Sequence, residues 1–517
     1  MKPPDETDRP RAAIWLGFIL MCLGMFMAIL DIQVVATSMP TIQHALAISP
    51  DRMSWIQTTY LIAEIIAIPL TGWLTRVMTL RWLFVSAVTL FTLASIGCAF
   101  SDGLAMLVGF RALQGFAGGT LIPTVFSAVF LLFPLRLHPI ATTMAGIMAV
   151  LAPTIGPVVG GWITETYSWH WLFLINVIPG IIAASATPLL LPRHKANLAD
   201  LATLDVVSLA LMAIALASLE IALKQAPQQG WLSPSSGLLL LLAIAAATLF
   251  AVRTLRAIHP VVDLSTLATR PFAISCGLSF CLGVGLFGSV YLMPVFLAFV
   301  RRHDAFEIGT IMLVTGAAQL VAAPIAGLME SRYDPRWQSA LGFGLFAIGL
   351  GASAWQSRVA DFDEMFWPQV LRGTAIMFCL LPPTRLALGA LTAAQVPDAS
   401  GLFNLMRNLG GAIGIALIDT ILYGRTAGHA EALRDRLLAG DVTAAQAIGL
   451  DVQLFTHRPP GMTDAAVEAY VRPMVERAAF ALSANEAWAL LAGVALIGLL
   501  LIPFAGAPPG AAGVGKD

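Results

Sequence analysis

Apolar windows about twenty residues long recur fourteen times between Ile14 and Phe504, divided by charged or Pro/Gly-rich breaks. A hydrocarbon layer about 30 Å thick asks for roughly 20 apolar residues per helix. In lipid the backbone must satisfy its own polar groups, which leaves only helices and closed barrels. The alternating apolar/polar pattern of barrel strands is absent, so the chain is read as an all-α membrane protein. With 58% of its 517 residues hydrophobic and 11% charged, it is not an ordinary water-soluble chain. The windows place spans at 14–38, 54–75, 82–101, 104–132, 140–163, 170–191, 205–224, 236–256, 272–299, 307–328, 337–356, 365–390, 400–423 and 486–505. The first continues well past the length of a signal-peptide core and is expected to be retained.

Placing the N-terminus in the cytoplasm puts fourteen basic residues, among them Arg76, Arg81, Arg136, Arg253 and Arg332, on the inner side. The short outer loops then hold five: Arg52, Lys224, Arg301, Arg302 and Arg358. That asymmetry predicts both termini on the cytoplasmic side of the membrane. A formal net charge of −1 argues against nucleic acid as a partner. The five cysteines fall within spans and read as small buried residues rather than a disulfide framework or thiolate metal site. No phosphate-binding loop surrounds any of the four lysines, so the energy for uphill movement must come from an ion gradient or a separate subunit. The polar stretch 425–485, between the last two spans, is expected to form a small helical cap or a connector on the outer face.

Ionisable side chains within spans are costly, and each marks a functional hypothesis. Asp31 lies in the outer half of span one, where a desolvated carboxyl suits reversible protonation. Arg111 enters span four at a comparable depth, and its guanidinium cannot lose its proton, so it is a candidate fixed countercharge. Glu64, near the middle of span two, has no helical partner of opposite charge and is a second candidate proton or cation site. Arg372 and Arg407, in spans twelve and thirteen, are further intramembrane cations, with Asp419 a conceivable mate for either. Glu220 reads as a local pair with Lys224, four residues on. Span five carries Gly146, Gly156, Pro157, Gly160 and Gly161, which cost helix stability and imply close packing or a hinge.

These residues resemble motifs of the major facilitator superfamily. Gly146-x9-Gly156-Pro157-x2-Gly160-Gly161 is similar to antiporter motif C, and Arg111, Gln114 and Gly115 within Phe110–Gly115 to motif B. Leu30-Asp31 through Pro40 resembles motif D1 of fourteen-helix drug:proton antiporters, and Gly72-Trp73-Leu74 the start of motif A. Trp169–Gly180, Ser400–Gly414 and Ser483–Glu486 look most like EmrB-type multidrug exporters. One departure stands out: Arg76 occupies the usual acidic position of motif A and Thr79 its usual glycine, with Arg81 keeping only the distal basic character.

The resemblance implies two six-helix bundles with two inserted helices, fourteen transmembrane helices in all. That divides the chain into an N-terminus 1–13, a first bundle 14–195, inserted helices and linker 196–270, a second bundle 271–505 and a tail 506–517. It implies proton antiport of lipophilic compounds across a bacterial inner membrane, no cofactor and no metal. It also implies partnership with a periplasmic adaptor, for which the outer loop is a candidate docking surface, and with an outer-membrane channel. Motif C is expected to let span five pack closely on its partner in the other bundle. The competing readings are an exporter of one specific metabolite or siderophore and, remotely, a membrane-embedded lipid enzyme. For the enzyme reading the sequence lacks clustered histidines or an H-E-x-x-H.

Overall fold

The computed structural model describes residues 12–47, 50–194, 196, 204–257, 260–330, 332–389, 391–451 and 465–505. Among these residues, eleven helices are long and apolar enough to cross a membrane. One of them, Trp55–Ala99, is two spans joined at Thr79, whose φ of 74° and ψ of 156° leave the helical region. Pro335–Ala352 and Phe362–Leu388 complete a set of fourteen; the second is less apolar because it holds Arg372 and three internal prolines.

We number the spans in chain order. The first bundle comprises α1 (Ala12–Ala45), α2 (55–78), α3 (80–99), α4 (Leu104–Leu132), α5 (His138–Thr166) and α6 (Val177–Leu190), the last preceded by a turn, Trp171–Leu174. The inserted pair is α7 (Val206–Gln229) and α8 (Pro234–Arg256). The second bundle comprises α9 (Arg270–Phe296), α10 (Ala305–Glu330), α11 (Pro335–Ala352), α12 (Phe362–Leu388), α13 (Val396–Leu438) and α14 (Ala465–Leu501).

Local chemistry sets the helix starts. Asp205, Ser233 and Asp334 cap α7, α8 and α11 by accepting from backbone N–H groups of the first turn. Asp361 and Glu364 form a reciprocal capping box at α12. The inserted pair is tied at one end by Arg253, which donates to both carboxylate oxygens of Asp205 at 2.8–3.2 Å. Hydrogen bonding to Arg253 and Ser208 holds the Asp205 carboxyl well below the usual carboxylate range. Lys224 donates to the Ser54 carbonyl at 3.1 Å and to the Thr58 hydroxyl, so it bridges α7 to the start of α2. Its expected partner Glu220 interacts with it electrostatically, but among the described residues the two form no ion pair.

Buried apolar side chains gather into two large cores, one per bundle, and each bundle lends a helix to the other. Val150 of α5 joins the second core, while Ala399, Leu402 and Phe403 of α13 join the first. The five cysteines are all buried.

The last two spans extend beyond the expected apolar limits. At 43 residues α13 is about 65 Å long. With the short helix Val442–Ile448 and the start of α14 it buries Leu433, Ile448, Val475, Ala478 and Ala479 in a small core of their own. Arg425 and His429 fasten this cap to Glu486, each at 2.9 Å. Residues 452–464 of the loop lie outside the described residues.

Candidate functional site

Asp31 sits just past the middle of α1 with no exposed surface. Its carboxylate accepts from three side chains on two other elements. Arg111 of α4 donates to Oδ2, while Gln114 Nε2 and Asn176 Nδ2 each donate to Oδ1 at 2.9 Å. The guanidinium is fully buried as well. It donates to Gln114 Oε1 at 2.8 Å and to the Ile56 carbonyl at 3.2 Å, and its Cζ lies 4.2 Å from the centre of the Tyr60 ring. Gln114 also donates to Ser95 Oγ at 2.8 Å. Helical spacing explains part of this: Arg111 and Gln114 are three apart and share a face of α4. Gly115 and Gly119 let α4 approach α2 so closely that an added Cβ would strike the Tyr60 and Glu64 backbone. The result is a buried charge pair in which the carboxylate is held by one cation and two amides. It can hold a proton only by giving up much of its attraction to Arg111.

Sequence reasoning pairs Asp31 with Arg111 and reads Gln114 as part of motif B, without placing it on the Asp31 carboxylate. It misses the amide of Asn176 and the hydroxyl of Ser95. The signal for Asn176 was a lone amide in the apolar run Phe173–Pro179, where an unpaired polar group would be costly.

Glu64 does not join this cluster. It is buried in α2, and its carboxylate interacts electrostatically with Glu220 of α7 and with Arg111 and Arg407. Arg407 donates to Asn404 Oδ1 and lies 5.7 Å from the Phe126 ring of α4, at the junction between bundles. Asp419 is mated to neither Arg372 nor Arg407; it accepts from the Tyr291 hydroxyl at 2.6 Å.

The motif-C glycines face a different neighbour from the expected one. An added Cβ at Gly156 would strike Gln33 of α1, and the Gly160 carbonyl accepts from Ser38 Oγ at 3.3 Å, so both pack within their own bundle. Gly146 meets the second bundle, at Leu381 and Met377 of α12. The close approach of α5 to α10 is made by the partner's glycines: Gly309 against Val158, Gly316 against Thr154 and Gly327 against Thr143. Helix periodicity accounts for the division, because Thr154 and Val158 lie on a different face of α5 from Gly156 and Gly160.

At the opposite end of the bundles Arg76 forms an ion pair with Asp398, the third residue of α13, and Gly72 makes room for that carboxylate. Two residues further, Ser400 Oγ donates to the Pro123 carbonyl of α4 at 2.9 Å. The acid missing from Arg76's own position is thus supplied by the facing helix, where a negative charge also suits the positive end of the α13 dipole. Arg81 stacks 5.3 Å from the Trp82 ring.

The family model of the Major Facilitator Superfamily matches residues 21–415. The colistin resistance protein EmrB of Acinetobacter baumannii is 39% identical over 425 residues, 82% of this chain and 83% of that one. The multidrug export protein EmrB of Escherichia coli K12 is 30% identical over 502 residues, 96% of each chain. Among solved structures, the proton:xylose symporter XylE superposes with a TM-score of 0.60 at 12% identity, covering 95% of each chain. The human organic anion transporter MFSD10 gives 0.59, also at 12% identity, covering 95% of this chain and all of that one. These two likenesses speak to the fold alone. A family match across most of the chain, two relatives at 30% identity or more and a shared arrangement of helices together establish that this protein belongs to the major facilitator superfamily.

Proposed function

We propose that the chain exports lipophilic small molecules across the bacterial cytoplasmic membrane in exchange for protons, by alternating access between its two bundles. The observation that carries this reading is the buried Asp31 carboxylate, shared between Arg111, Gln114 and Asn176 across α1, α4 and the start of α6. Membership in a transporter family sets the chain among carriers rather than enzymes, and its EmrB relatives are named for colistin resistance and multidrug export.

In this account Asp31 exchanges the proton and Arg111 competes with it for the carboxylate. Coupling requires that proton and drug each prefer a different state of the bundles; equal affinity for both states would move nothing. The Arg76–Asp398 pair and the Ser400 contact hold the bundles together at the inner end. The small-residue contacts between α5 and α10 form a rail along which the bundles can rock. Both termini are cytoplasmic, and the helical cap built on α13 and α14 is the docking surface for a periplasmic adaptor that leads to an outer-membrane channel. Glu64, at the junction near Arg407, tolerates cationic substrates.

Inverted membrane vesicles with an acid interior test the reading. They should accumulate a lipophilic dye in proportion to the amount of this protein, and a protonophore should abolish the accumulation. Accumulation that persists without a proton gradient would overturn proton exchange as the energy source.

A further inference from the structure

The second bundle contains a buried cation of its own. Arg372, on α12, is 3% exposed. Its place corresponds to that of Arg111: each lies on the fourth helix of its bundle and reaches the first. Arg111 meets Asp31 on α1, whereas Arg372 Nη2 meets only the thioether of Met293 on α9, at 3.3 Å. A thioether is a weak acceptor and carries no charge. Among the described residues Arg372 Nε and Nη1 have no acceptor, and no carboxylate pairs with this guanidinium.

Two more donors lie beside it. Trp488 of α14 stacks on the guanidinium at 4.7 Å from Cζ to ring centre; the indole is 1% exposed and its Nε1 has no acceptor among the described residues. Gln369, one turn before Arg372 on the same helix, is fully buried. Its Oε1 accepts from Thr315 Oγ1 at 2.9 Å, which fixes the amide, and Nε2 has no partner among the described residues. The site therefore offers N–H donors from three side chains and a permanent positive charge, with one weak sulfur acceptor. Buried donors without acceptors cost free energy one by one, and a buried guanidinium cannot relieve the cost by losing its proton. A small anion beside the guanidinium would neutralise the buried charge and take up donors left unpaired there.

We infer that Arg372, Gln369 and Trp488 form a binding site for a small inorganic anion of the halide class, inside the second bundle. Burial of all three residues favours a monatomic ion over the carboxylate of a bulky substrate. The anion takes the place that Asp31 holds in the first bundle, so one bundle has a countercharge that protons can neutralise and the other a countercharge that they cannot. This inference is independent of what the protein exports.

The test uses the purified full-length protein in lipid nanodiscs, in sodium gluconate at fixed ionic strength, with chloride or bromide replacing gluconate stepwise. Thermal unfolding temperature should rise with halide and saturate. Arg372→Met should abolish the halide-dependent rise, and Trp488→Phe, which keeps the ring and removes one donor, should raise the half-saturating chloride roughly tenfold. If Arg372→Met does not fold, the Trp488→Phe shift decides alone. Equal stability in chloride and gluconate, or a chloride response unchanged in Trp488→Phe, would overturn the proposal. So would a rise produced by benzoate and not by halide, which would assign the site to an anionic substrate.

Discussion

Replacing Asp31 by Asn removes one charge of a pair whose two members have no exposed surface, and leaves the Arg111 guanidinium buried without a countercharge. Breaking a buried pair from one side costs about 3–5 kcal/mol, or roughly two to three and a half decades in the folded/unfolded ratio at ~1.4 kcal/mol per decade. Removing both charges should be far milder, because Met in place of Arg111 fills the space without demanding a countercharge. The double variant Asp31→Asn/Arg111→Met still loses the cation–ring contact to Tyr60, worth about 1–2 kcal/mol, so recovery should be large but incomplete. The assay is reversible unfolding in mixed detergent micelles, followed by tryptophan fluorescence, for wild type, both single variants and the double. A coupling energy of at least ~2 kcal/mol is expected from such a cycle. As a contrast, Glu486→Gln in the middle of α14, a third exposed and paired with Arg425 and His429, should leave stability near that of wild type. The reasoning fails if Asp31→Asn costs less than ~1 kcal/mol, the range of a solvent-exposed pair, or if the double variant is as unstable as the sum of the singles.

Three further outcomes follow from the packing. Gly316→Leu should abolish export while the protein still inserts, since the side chain would collide with Thr154 on α5, whereas Gly109→Ala, with open space around it, should transport normally; dye efflux with surface quantification separates the two. Asp398→Ala should shift the population toward opening at the inner end by about 1 kcal/mol, because Arg76 is a third exposed and the pair is partly screened. Cysteine accessibility along α2 and α13 reads that shift, and the swap Arg76→Asp/Asp398→Arg should restore closure only in part, since a cation opposes the α13 dipole. Thr79→Gly should raise the unfolding temperature by relieving about 1–3 kcal/mol of backbone strain at φ 74°; an unchanged or lowered temperature would show that Thr79 is not strained in solution.

Much of this site was legible because depth in a bilayer is a property of sequence. Asp31 and Arg111 lie at matched distances from the outer ends of oppositely directed spans, so their meeting needed only that α1 and α4 be neighbours. Asn176 was harder to read, since an amide in an apolar run says that a partner exists without saying which. Asp398 was missed for another reason: an acid at a helix start already has a local explanation in the dipole, which hid its cross-bundle role with Arg76. The neighbours of the glycines were also out of reach. Spacing along α5 separates the face bearing Gly156 and Gly160 from the face bearing Thr154 and Val158, but only the packed bundles show that the first meets α1 and the second α10. The fold's fourteen spans were readable from hydropathy, whereas the continuation of α13 from Tyr423 to Leu438 was not. Apolarity ends where the lipid ends, but helical hydrogen bonding continues wherever Ala, Leu, Arg and Glu favour it.

Proton flux in proteoliposomes bears most directly on the central claim, that Asp31 exchanges the transported proton. Purified wild type and Asp31→Asn, reconstituted at equal density with a pH-sensitive dye trapped inside, are challenged with a panel of lipophilic substrates. The account predicts substrate-dependent proton movement in wild type and none in Asp31→Asn, with binding of substrate retained by the variant. Equal proton movement in the two proteins would contradict it and move the proton site away from α1, with Glu64 on α2 the next carboxylate to test.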